Sequence, residues 1–198
     1  MKFESPEKKR DRLATLKPEI DKLRTIVDSF DIQGKDQRMM VQAIHEACNA
    51  ALEGNYGIGA VLADGCGNVV ARGHNTLGDS QNPWVHVAHA EINAIADYHT
   101  KFELGDRDYD SLTLYSTLEP CPMCTCAIFN ARIPLILFGA VDEPAGVMHS
   151  HPKSFPPLWN MLIEREGIRF KLAQIPEEIR IACEKVFLIT RNFEYEEI

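Results

Sequence analysis

The sequence predicts an α/β domain with helices on both faces of a sheet. Short runs of strand length, such as residues 59–63 and 112–117, alternate along the chain with longer amphipathic segments of helical period. Turn-forming residues separate these runs, and the alternation is typical of helices that cover a sheet. The 198 residues suffice for one hydrophobic core and a short extension.

Composition narrows the class of protein. Hydrophobic residues make up 45% of the chain, and no apolar run approaches the length of a membrane span. The first residues lead into charges, so we expect a soluble cytoplasmic protein with no membrane partner. The formal net charge of −8 argues against a protein that holds long nucleic acids, although a local basic patch remains compatible with it.

Residues 1–35 are predicted to form a helical extension. An apolar stripe recurs at steps of three and four residues, at Leu13, Leu16, Ile20, Leu23 and Val27. Pro18 is expected to divide this segment into two helices or to start the second one. The stripe packs either on its own domain or across a dimer.

A helix and a hairpin follow. Asp36 is the predicted N-cap of a helix that runs to about Glu53, with Gly54 at its C-terminal end. Its predicted buried face comprises Met40, Ile44, Ala47 and Ala51. Residues 59–63 and 69–72 are predicted strands that flank a turn rich in Gly, Asp and Asn.

The loop of residues 73–87 is long for a compact domain, and long loops are often functional. It contains Asn75, whose amide both donates and accepts hydrogen bonds and therefore suits the edge of a base. The alternative is that Asn75 only stabilises the turn. Trp84 covers a pocket or seals the loop, and His74 and His86 are either surface residues or additional metal ligands.

A helix is predicted from Ala88 to about Thr100, with Ile92 and Ala96 facing inward. Further elements are a strand at 112–117, a helix from Pro120, a buried strand at 133–139, a helix at 159–166, an edge strand at 168–172 and a helix at 176–190. A proline-containing loop occupies residues 142–157. The acidic tail, residues 191–198, is mobile or folds over the site.

The candidate metal-binding and catalytic residues lie in two short motifs, His89-Ala90-Glu91 and Pro120-Cys121-Pro122-Met123-Cys124. One His and two Cys, the latter at i and i+3, supply three zinc ligands and leave the fourth tetrahedral position for water. Glu91 supplies the acid/base that this water needs. His89 and Glu91 are two residues apart, so both reach one metal only if it lies beyond a helix N-terminus. Cys126 points elsewhere.

The combination of a His-x-Glu motif with a later Pro-Cys-x-x-Cys motif resembles the signature of zinc-dependent nucleobase deaminases. Together with residues 59–61, 73–75 and 117–124, it resembles the cytidine deaminase-like superfamily, closest to the branch of tRNA adenosine deaminase, guanine deaminase and fungal-type cytosine deaminase. The resemblance covers about residues 38–145. It implies a three-layer α/β/α sandwich with a five-stranded mixed sheet, assembled as a homodimer. It also implies Zn²⁺ held by His89, Cys121 and Cys124, Glu91 as proton shuttle and Asn75 as a contact to the base.

We therefore expect an extension, residues 1–35, and a zinc-dependent deaminase domain, residues 36–198. The expected reaction is hydrolytic deamination of a free nucleobase or nucleoside by water, with guanine-type purines ahead of cytosine. The acidic charge favours this over the alternative, a tRNA adenosine deaminase, so no nucleic-acid partner is expected. Glu143 is a candidate substrate contact. A second alternative is a binding module that has lost activity, against which the presence of Glu91 argues.

Overall fold

The structure, a computed structural model, describes residues 5–79, 84–153 and 155–191. The helices in these ranges are α1 (Pro6–Asp28), α2 (Lys35–Leu52), α3 (Ala90–Lys101), α4 (Pro122–Asn130), α5 (Pro157–Arg165) and α6 (Glu177–Arg191). The strands are β1 (Gly59–Ala63), β2 (Val69–His74), β3 (Thr113–Leu118), β4 (Leu135–Ala140) and β5 (Arg169–Leu172). Short 3₁₀ turns lie at Val85–Val87 and Leu104–Asp106.

The five strands form one mixed sheet in the order β2-β1-β3-β4-β5. β1 is antiparallel to both β2 and β3, whereas β3, β4 and β5 run parallel to one another. β2 and β5 are the two edges, which confirms the predicted edge strand. The parallel half brings the carboxyl ends of β3 and β4 to one edge of the sheet, where the loops that follow these strands build the site.

Helices cover both faces of the sheet and enclose two hydrophobic cores. One core contains residues of α1, α2 and α6, among them Ile20, Met40, Ile44, Cys183 and Val186. The other contains residues of α3, α4 and α5, among them Ala94, Tyr98, Ile128 and Ile163. The three-layer α/β/α prediction is confirmed.

Three of the five residues of the N-terminal stripe are buried within their own chain, whereas Leu13 and Leu16 are half-buried. Ile20, Leu23 and Val27 are in the first core beside α2 and α6, so this surface needs no second subunit to cover it. The prediction that Pro18 separates two helices is wrong, because α1 continues through it. Pro18 and Ala14, whose carbonyl would have accepted the missing N–H, are both exposed, so water can satisfy that carbonyl. The domain boundary at residue 35 stays a prediction.

Two details of the helices differ from the sequence prediction. α2 begins after Gly34, and Asp36, the predicted N-cap, instead accepts a 2.6 Å hydrogen bond from the Tyr115 hydroxyl. The buried face of α3 includes Ala90, Ala94 and Tyr98, whereas Ala96 is exposed. A pattern of small residues does not fix which side of a helix is buried, and here the contact with β2 decides it.

That contact depends on glycine. A Cβ on Gly73 of β2 would lie 2.2 Å from the Ala94 amide nitrogen and 2.3 Å from the Ala90 carbonyl oxygen of α3. On the opposite face, a Cβ on Gly59 of β1 would lie 2.2 Å from the Ala43 carbonyl oxygen of α2. Gly73 pairs with Ala60, the neighbour of Gly59. Both helices therefore touch the sheet backbone at one end of the β1–β2 pair.

None of the helices in the described ranges combines the length and apolar character that a membrane crossing needs. For the tail, residues 191–198, the sequence left open whether it is mobile or folds over the site, and residues 192–198 lie outside the described residues. So do residues 80–83 of the 73–87 loop and residue 154 of the 142–157 loop.

Candidate active site

Three potential metal ligands meet at the N-termini of two helices. His89 is the N-cap residue of α3, Cys121 is the N-cap residue of α4, and Cys124 lies in the first turn of α4. Their donor atoms all lie within 4.8 Å of one another, and the His89 Nδ1 to Cys121 Sγ distance is 3.7 Å. The structure thus brings the three side chains together at the N-terminal ends of the two helices, where the His-x-Glu spacing predicts the metal.

The donor set fits zinc. Bond lengths of about 2.3 Å to sulfur and about 2.1 Å to nitrogen at a tetrahedral angle place the two donors about 3.6 Å apart, close to the 3.7 Å between Nδ1 and Sγ. Cys124 is buried, whereas His89 and Cys121 are half-buried and line a cavity. Three ligands with one side facing a cavity have the composition of a catalytic zinc site, which keeps a position open.

The two thiols of the cluster have pKa values shifted in opposite directions. The hydrogen bond from Cys124, followed by that of His89, lowers the pKa of Cys121 to about 4 despite partial burial. The same hydrogen bond, together with burial and the nearby Glu91 carboxylate, raises the pKa of Cys124 well above its usual value. Burial opposes protonation of His89, but the hydrogen bond and charge of Cys121 outweigh it and raise the pKa. Without a cation the cluster therefore favours a thiolate at Cys121 beside a proton-holding His89 and a protonated Cys124, and a bound cation would displace the protons of the latter two.

Glu91 lies beside the cluster with its side chain fixed. It is only 3% exposed, Oε1 accepts a 3.2 Å hydrogen bond from the Ser116 hydroxyl, and Oε2 lies 3.4 Å from Cys124 Sγ. Burial raises the pKa of Glu91, so this carboxyl group holds a proton more readily than an exposed glutamate does. Glu91 also lines the cavity. A group so placed can exchange protons with a molecule bound there.

The cavity measures about 510 Å³, which is within the range of small-molecule sites. It is lined by Tyr56, Ile58, Asn75, Leu77, His89, Glu91, Leu118, Glu119, Cys121, Asp142, Ala145, Phe187 and Arg191. Phe187 and Arg191 come from α6, so the C-terminal helix forms part of the wall.

Asn75 lies in this wall, where the sequence predicted a base contact. It is 1% exposed, and its Oδ1 accepts a 3.1 Å hydrogen bond from the Leu77 amide. Its Nδ2 has no hydrogen-bond partner among the described residues. The oxygen thus stabilises the turn, while the amide nitrogen is a buried donor in need of an acceptor.

Asn93 connects the Asn75 segment to the metal-ligand segment. Its Nδ2 donates to the carbonyl oxygen of His74 at 2.7 Å and to the Thr76 hydroxyl at 3.1 Å, and the Ala88 carbonyl lies 3.4 Å away. The Thr76 amide donates to the same Ala88 carbonyl at 3.0 Å. The position of Asn75 relative to the neighbouring ligand His89 is therefore fixed by side-chain and backbone bonds together.

Two acidic side chains, those of Glu119 and Asp142, also line the cavity. Burial raises the pKa of the Asp142 carboxyl group. Burial would also raise the pKa of Glu119, but hydrogen bonds from Ser150, His149 and Asp142 outweigh it, and the pKa is lowered. Glu143, the candidate from sequence, is exposed and does not line the cavity.

The other loop candidates lie away from the cluster. His74 Nδ1 contacts Glu46 at 3.2 Å and its Nε2 contacts Glu53 at 2.9 Å, so it belongs to a polar group between α2 and β2. The Glu46 hydrogen bond raises the pKa of His74. His86 is exposed, and the Trp84 side chain is 73% exposed and is not part of the cavity wall.

Sequence reasoning missed Ser116, Asn93, Glu119 and Asp142 as parts of the site. Ser116 and Glu119 precede the Cys motif on β3 and at its end, and Asp142 follows β4. Polar residues at the carboxyl ends of neighbouring parallel strands would have been a usable signal, because such ends meet at one edge of a sheet.

Comparison with known proteins agrees with this geometry. Residues 33–140, more than half of the chain, match the family described as the cytidine and deoxycytidylate deaminase zinc-binding region. The chain belongs to this family. The cofactor of the family is zinc, and the matched region contains the His89, Cys121 and Cys124 cluster that fits it.

Curated relatives in this family include tRNA-specific adenosine deaminases. That of Bacillus subtilis (strain 168) is 41% identical over 112 residues, which cover 57% of this chain and 66% of the relative. That of Haemophilus influenzae is 38% identical over 117 residues, which cover 58% and 64% respectively. The match thus spans slightly less than two thirds of these relatives' length.

Solved structures show the same fold. One, from a study of A-to-I editing by tRNA:A34 deaminases at the wobble position of transfer RNA, is 35% identical with a TM-score of 0.54 and covers 63% of this chain and 92% of that one. A guanine deaminase from Nitrosomonas europaea has a TM-score of 0.58 and covers 79% of this chain and 86% of its own. At 18% identity it supports the fold alone.

Proposed function

We propose that this protein is a zinc-dependent deaminase that replaces the exocyclic amino group of a nucleobase with oxygen and releases ammonia. The observation that carries the proposal is the juxtaposition of the His89, Cys121 and Cys124 cluster with buried Glu91 at the wall of a cavity of about 510 Å³. A group that holds a metal but lacks an adjacent proton carrier would suit a structural site. This one has both parts required for hydrolysis.

In the proposed mechanism His89, Cys121 and Cys124 hold the metal. When bound, zinc supplies Lewis-acid chemistry and lowers the pKa of water toward neutrality. Glu91 accepts a proton from water on one carboxylate oxygen and passes it to the ring nitrogen next to the reacting carbon, while the water oxygen bonds to that carbon. Glu91 then takes the remaining proton of the added hydroxyl group and delivers it to the amine, so that the C–N bond breaks and ammonia leaves. The Ser116 hydroxyl orients Oε1 of this carboxylate. The Nδ2 of Asn75 donates to an acceptor on the base and so sets its orientation.

We infer that adenosine in transfer RNA is the first substrate to test. Support comes from relatives named tRNA-specific adenosine deaminases at 41% and 38% identity and from the solved tRNA:A34 deaminase at 35%. This replaces free bases as the leading hypothesis, and with it the expectation that nucleic acid is no partner. The Arg191 side chain at the cavity wall supplies a positive charge suited to a phosphate.

A free purine base or nucleoside is the second candidate. The formal net charge of −8 favours it, since a phosphate backbone requires a basic footprint. The two candidates share the chemistry described above and differ in what surrounds the reacting base.

One panel separates the candidates. Purified protein with measured zinc content is incubated with a transfer RNA carrying adenosine at position 34, and separately with guanine, cytosine, adenine and their nucleosides, while inosine and ammonia are quantified. Conversion of the RNA, with affinity that falls steeply with salt, supports the first candidate. Conversion of free compounds alone supports the second. No conversion by zinc-loaded protein contradicts the enzymatic proposal and leaves the binding module. Glu91→Gln is the matched control for background deamination.

We also propose a homodimer. The side chains of Leu158 and Met161, one helical turn apart on α5, are 59% and 54% exposed and offer an apolar contact surface. Sedimentation velocity at micromolar concentration tests this, and a monomer across the accessible range would contradict it.

A further inference from the structure

Glu119 is a buried carboxylate that the mechanism above does not use. It follows β3 directly and is separated from the ligand Cys121 by one proline. Its amide donates a 2.9 Å hydrogen bond to the carbonyl of Ala140, the last residue of β4, and the residue is only 2% exposed. A carboxylate this deeply buried requires partners for its charge.

Within the part of the chain that the structure describes, the hydrogen-bond partners of the Glu119 carboxylate all come from residues 142–150, which we call the wall segment. Oε1 accepts hydrogen bonds from the amides of His149 and Ser150, at 2.8 and 3.0 Å. Oε2 accepts one from the Ser150 hydroxyl at 2.5 Å and a longer one from the Asp142 amide at 3.4 Å. Backbone N–H groups converging on one anion can stabilise it without a cationic side chain. The two ends of the wall segment are thus held by the same side chain.

The middle of the wall segment also contacts this carboxylate. A Cβ on Gly146 would lie 2.3 Å from Glu119 Cδ and 2.4 Å from Oε2, so a larger residue has no room there. The Gly146 amide donates a 2.7 Å hydrogen bond to the Asp142 carbonyl, which closes a turn over the side chain. The wall segment is therefore wrapped around Glu119.

The consequence reaches the cavity, because Asp142 and Ala145 of the wall segment line it next to Glu119. Ala145 lies between Asp142 and Gly146, and both of these residues contact the Glu119 side chain. The Asp142 amide donates a hydrogen bond to the carboxylate, and Gly146 packs against it. The carboxylate thus connects the segment that leads to Cys121 with the part of the cavity wall that Asp142 and Ala145 form.

We propose that Glu119 is a positioning residue whose carboxylate organises the wall segment and thereby fixes the substrate-facing positions of Asp142 and Ala145. This inference rests on the proposed function for its effect on turnover. Its structural part, that the wall segment loses its order without Glu119, stands independently of any substrate.

The test compares Glu119→Ala with Glu119→Gln, Ser150→Ala and a control, Asp64→Ala. Asp64 also accepts a backbone hydrogen bond within a turn, at 2.8 Å from the Asn68 amide, but in the β1–β2 hairpin and outside the cavity wall. The glutamine oxygen can still accept from the His149 and Ser150 amides, and the Ser150 hydroxyl can accept from its NH₂. Only the longer 3.4 Å hydrogen bond from the Asp142 amide loses its acceptor. Glu119→Gln should therefore rescue most of what Glu119→Ala loses.

Hydrogen–deuterium exchange and kinetics are the readouts, with zinc content measured throughout. In Glu119→Ala we expect exchange of residues 142–150 to accelerate at least tenfold, zinc to remain, and KM to rise on the order of tenfold while kcat changes less. Ser150→Ala should show a smaller effect of the same kind, and Asp64→Ala none on KM.

Unchanged exchange in Glu119→Ala overturns the proposal whatever the activity. Faster exchange with unchanged KM for a substrate that the wild type converts overturns its functional part. Loss of zinc together with activity would assign Glu119 to the ligand loop and not to the wall segment. If the wild type converts no substrate, the proposed function fails, while the exchange measurement still decides the role of Glu119.

Discussion

Asn75→Ala separates a substrate contact from a turn stabiliser. The Asn75 side chain has two opposing effects on the stability of the folded protein. Its oxygen binds the Leu77 amide at 3.1 Å, and its buried Nδ2 has no partner among the described residues. A net hydrogen bond stabilises by about 0.5–1.5 kcal/mol, and a buried unpaired donor costs about 1–3 kcal/mol. Alanine removes both but leaves the Leu77 amide unpaired, so the terms nearly cancel.

We therefore expect Asn75→Ala to shift the free energy of unfolding by no more than about 1–2 kcal/mol, which is roughly 2–8 °C in Tm for a chain of this size. Catalysis should change far more. A substrate acceptor left unpaired in a closed cavity costs about 1–3 kcal/mol, or roughly 5- to 150-fold in kcat/KM. Thermal melts and steady-state kinetics on the substrate identified by the panel measure the two effects.

Asn55→Ala is the matched control. Asn55 is buried, and its Oδ1 accepts a 2.7 Å hydrogen bond from the Gly78 amide of the same loop, but its side chain is outside the cavity wall. This variant should lose stability and keep its KM. If Asn75→Ala instead behaves like Asn55→Ala, with lower Tm and unchanged kcat/KM, Asn75 is a turn residue and the assigned contact to the base is wrong.

Three further predictions follow from the same geometry. Glu91→Gln should retain about one zinc per chain by elemental analysis yet lose ~10²–10⁴-fold in kcat, because positioned proton transfer is removed; parental turnover would refute the mechanism. Cys124→Ser should lose zinc, whereas Cys126→Ser should keep it, and the reverse result would move the metal site. The Glu46 hydrogen bond raises the pKa of His74, so its stabilisation is present below the unfolded pKa and is lost as pH rises through the folded one. Urea unfolding should show His74→Gln most destabilised below about pH 6.5 and progressively less destabilised as the pH rises above that value, and a pH-independent deficit would contradict this.

The zinc cluster could be predicted from the sequence because its parts are local. His89 and Cys121 are each the N-cap residue of a helix, and the i, i+3 spacing of the two cysteines puts both thiols at one helix start. β1 and β4 were predictable for the same reason, since each is a short apolar run between turn signals. Such features need no knowledge of what packs against them.

The partners of these residues could not be predicted, because they meet through the fold. Ser116 binds Glu91 across 25 residues, and Ser150 binds Glu119 across 31. The buried side of α3 depends on where Gly73 contacts it, so the assignment of Ala96 to the core failed. The substrate class is a different case: total charge averages over the whole surface, so it describes the few residues around the cavity poorly and does not decide between transfer RNA and a free base.

The glycine contacts on the two faces of the sheet set how closely α2 and α3 approach it, and therefore where α3 places the side chains of the site. α2 and α3 rest on bare backbone at Gly59 and Gly73, next to the end of β2 from which Asn75 emerges. An added methyl group at Gly73 would lift α3, and with it His89 and Glu91, away from Asn75. Glycine-to-alanine exchange, a common route to thermostability worth about 0.4–1 kcal/mol, is therefore closed at these two positions. It stays open at Gly105, around which a Cβ meets nothing within 4 Å.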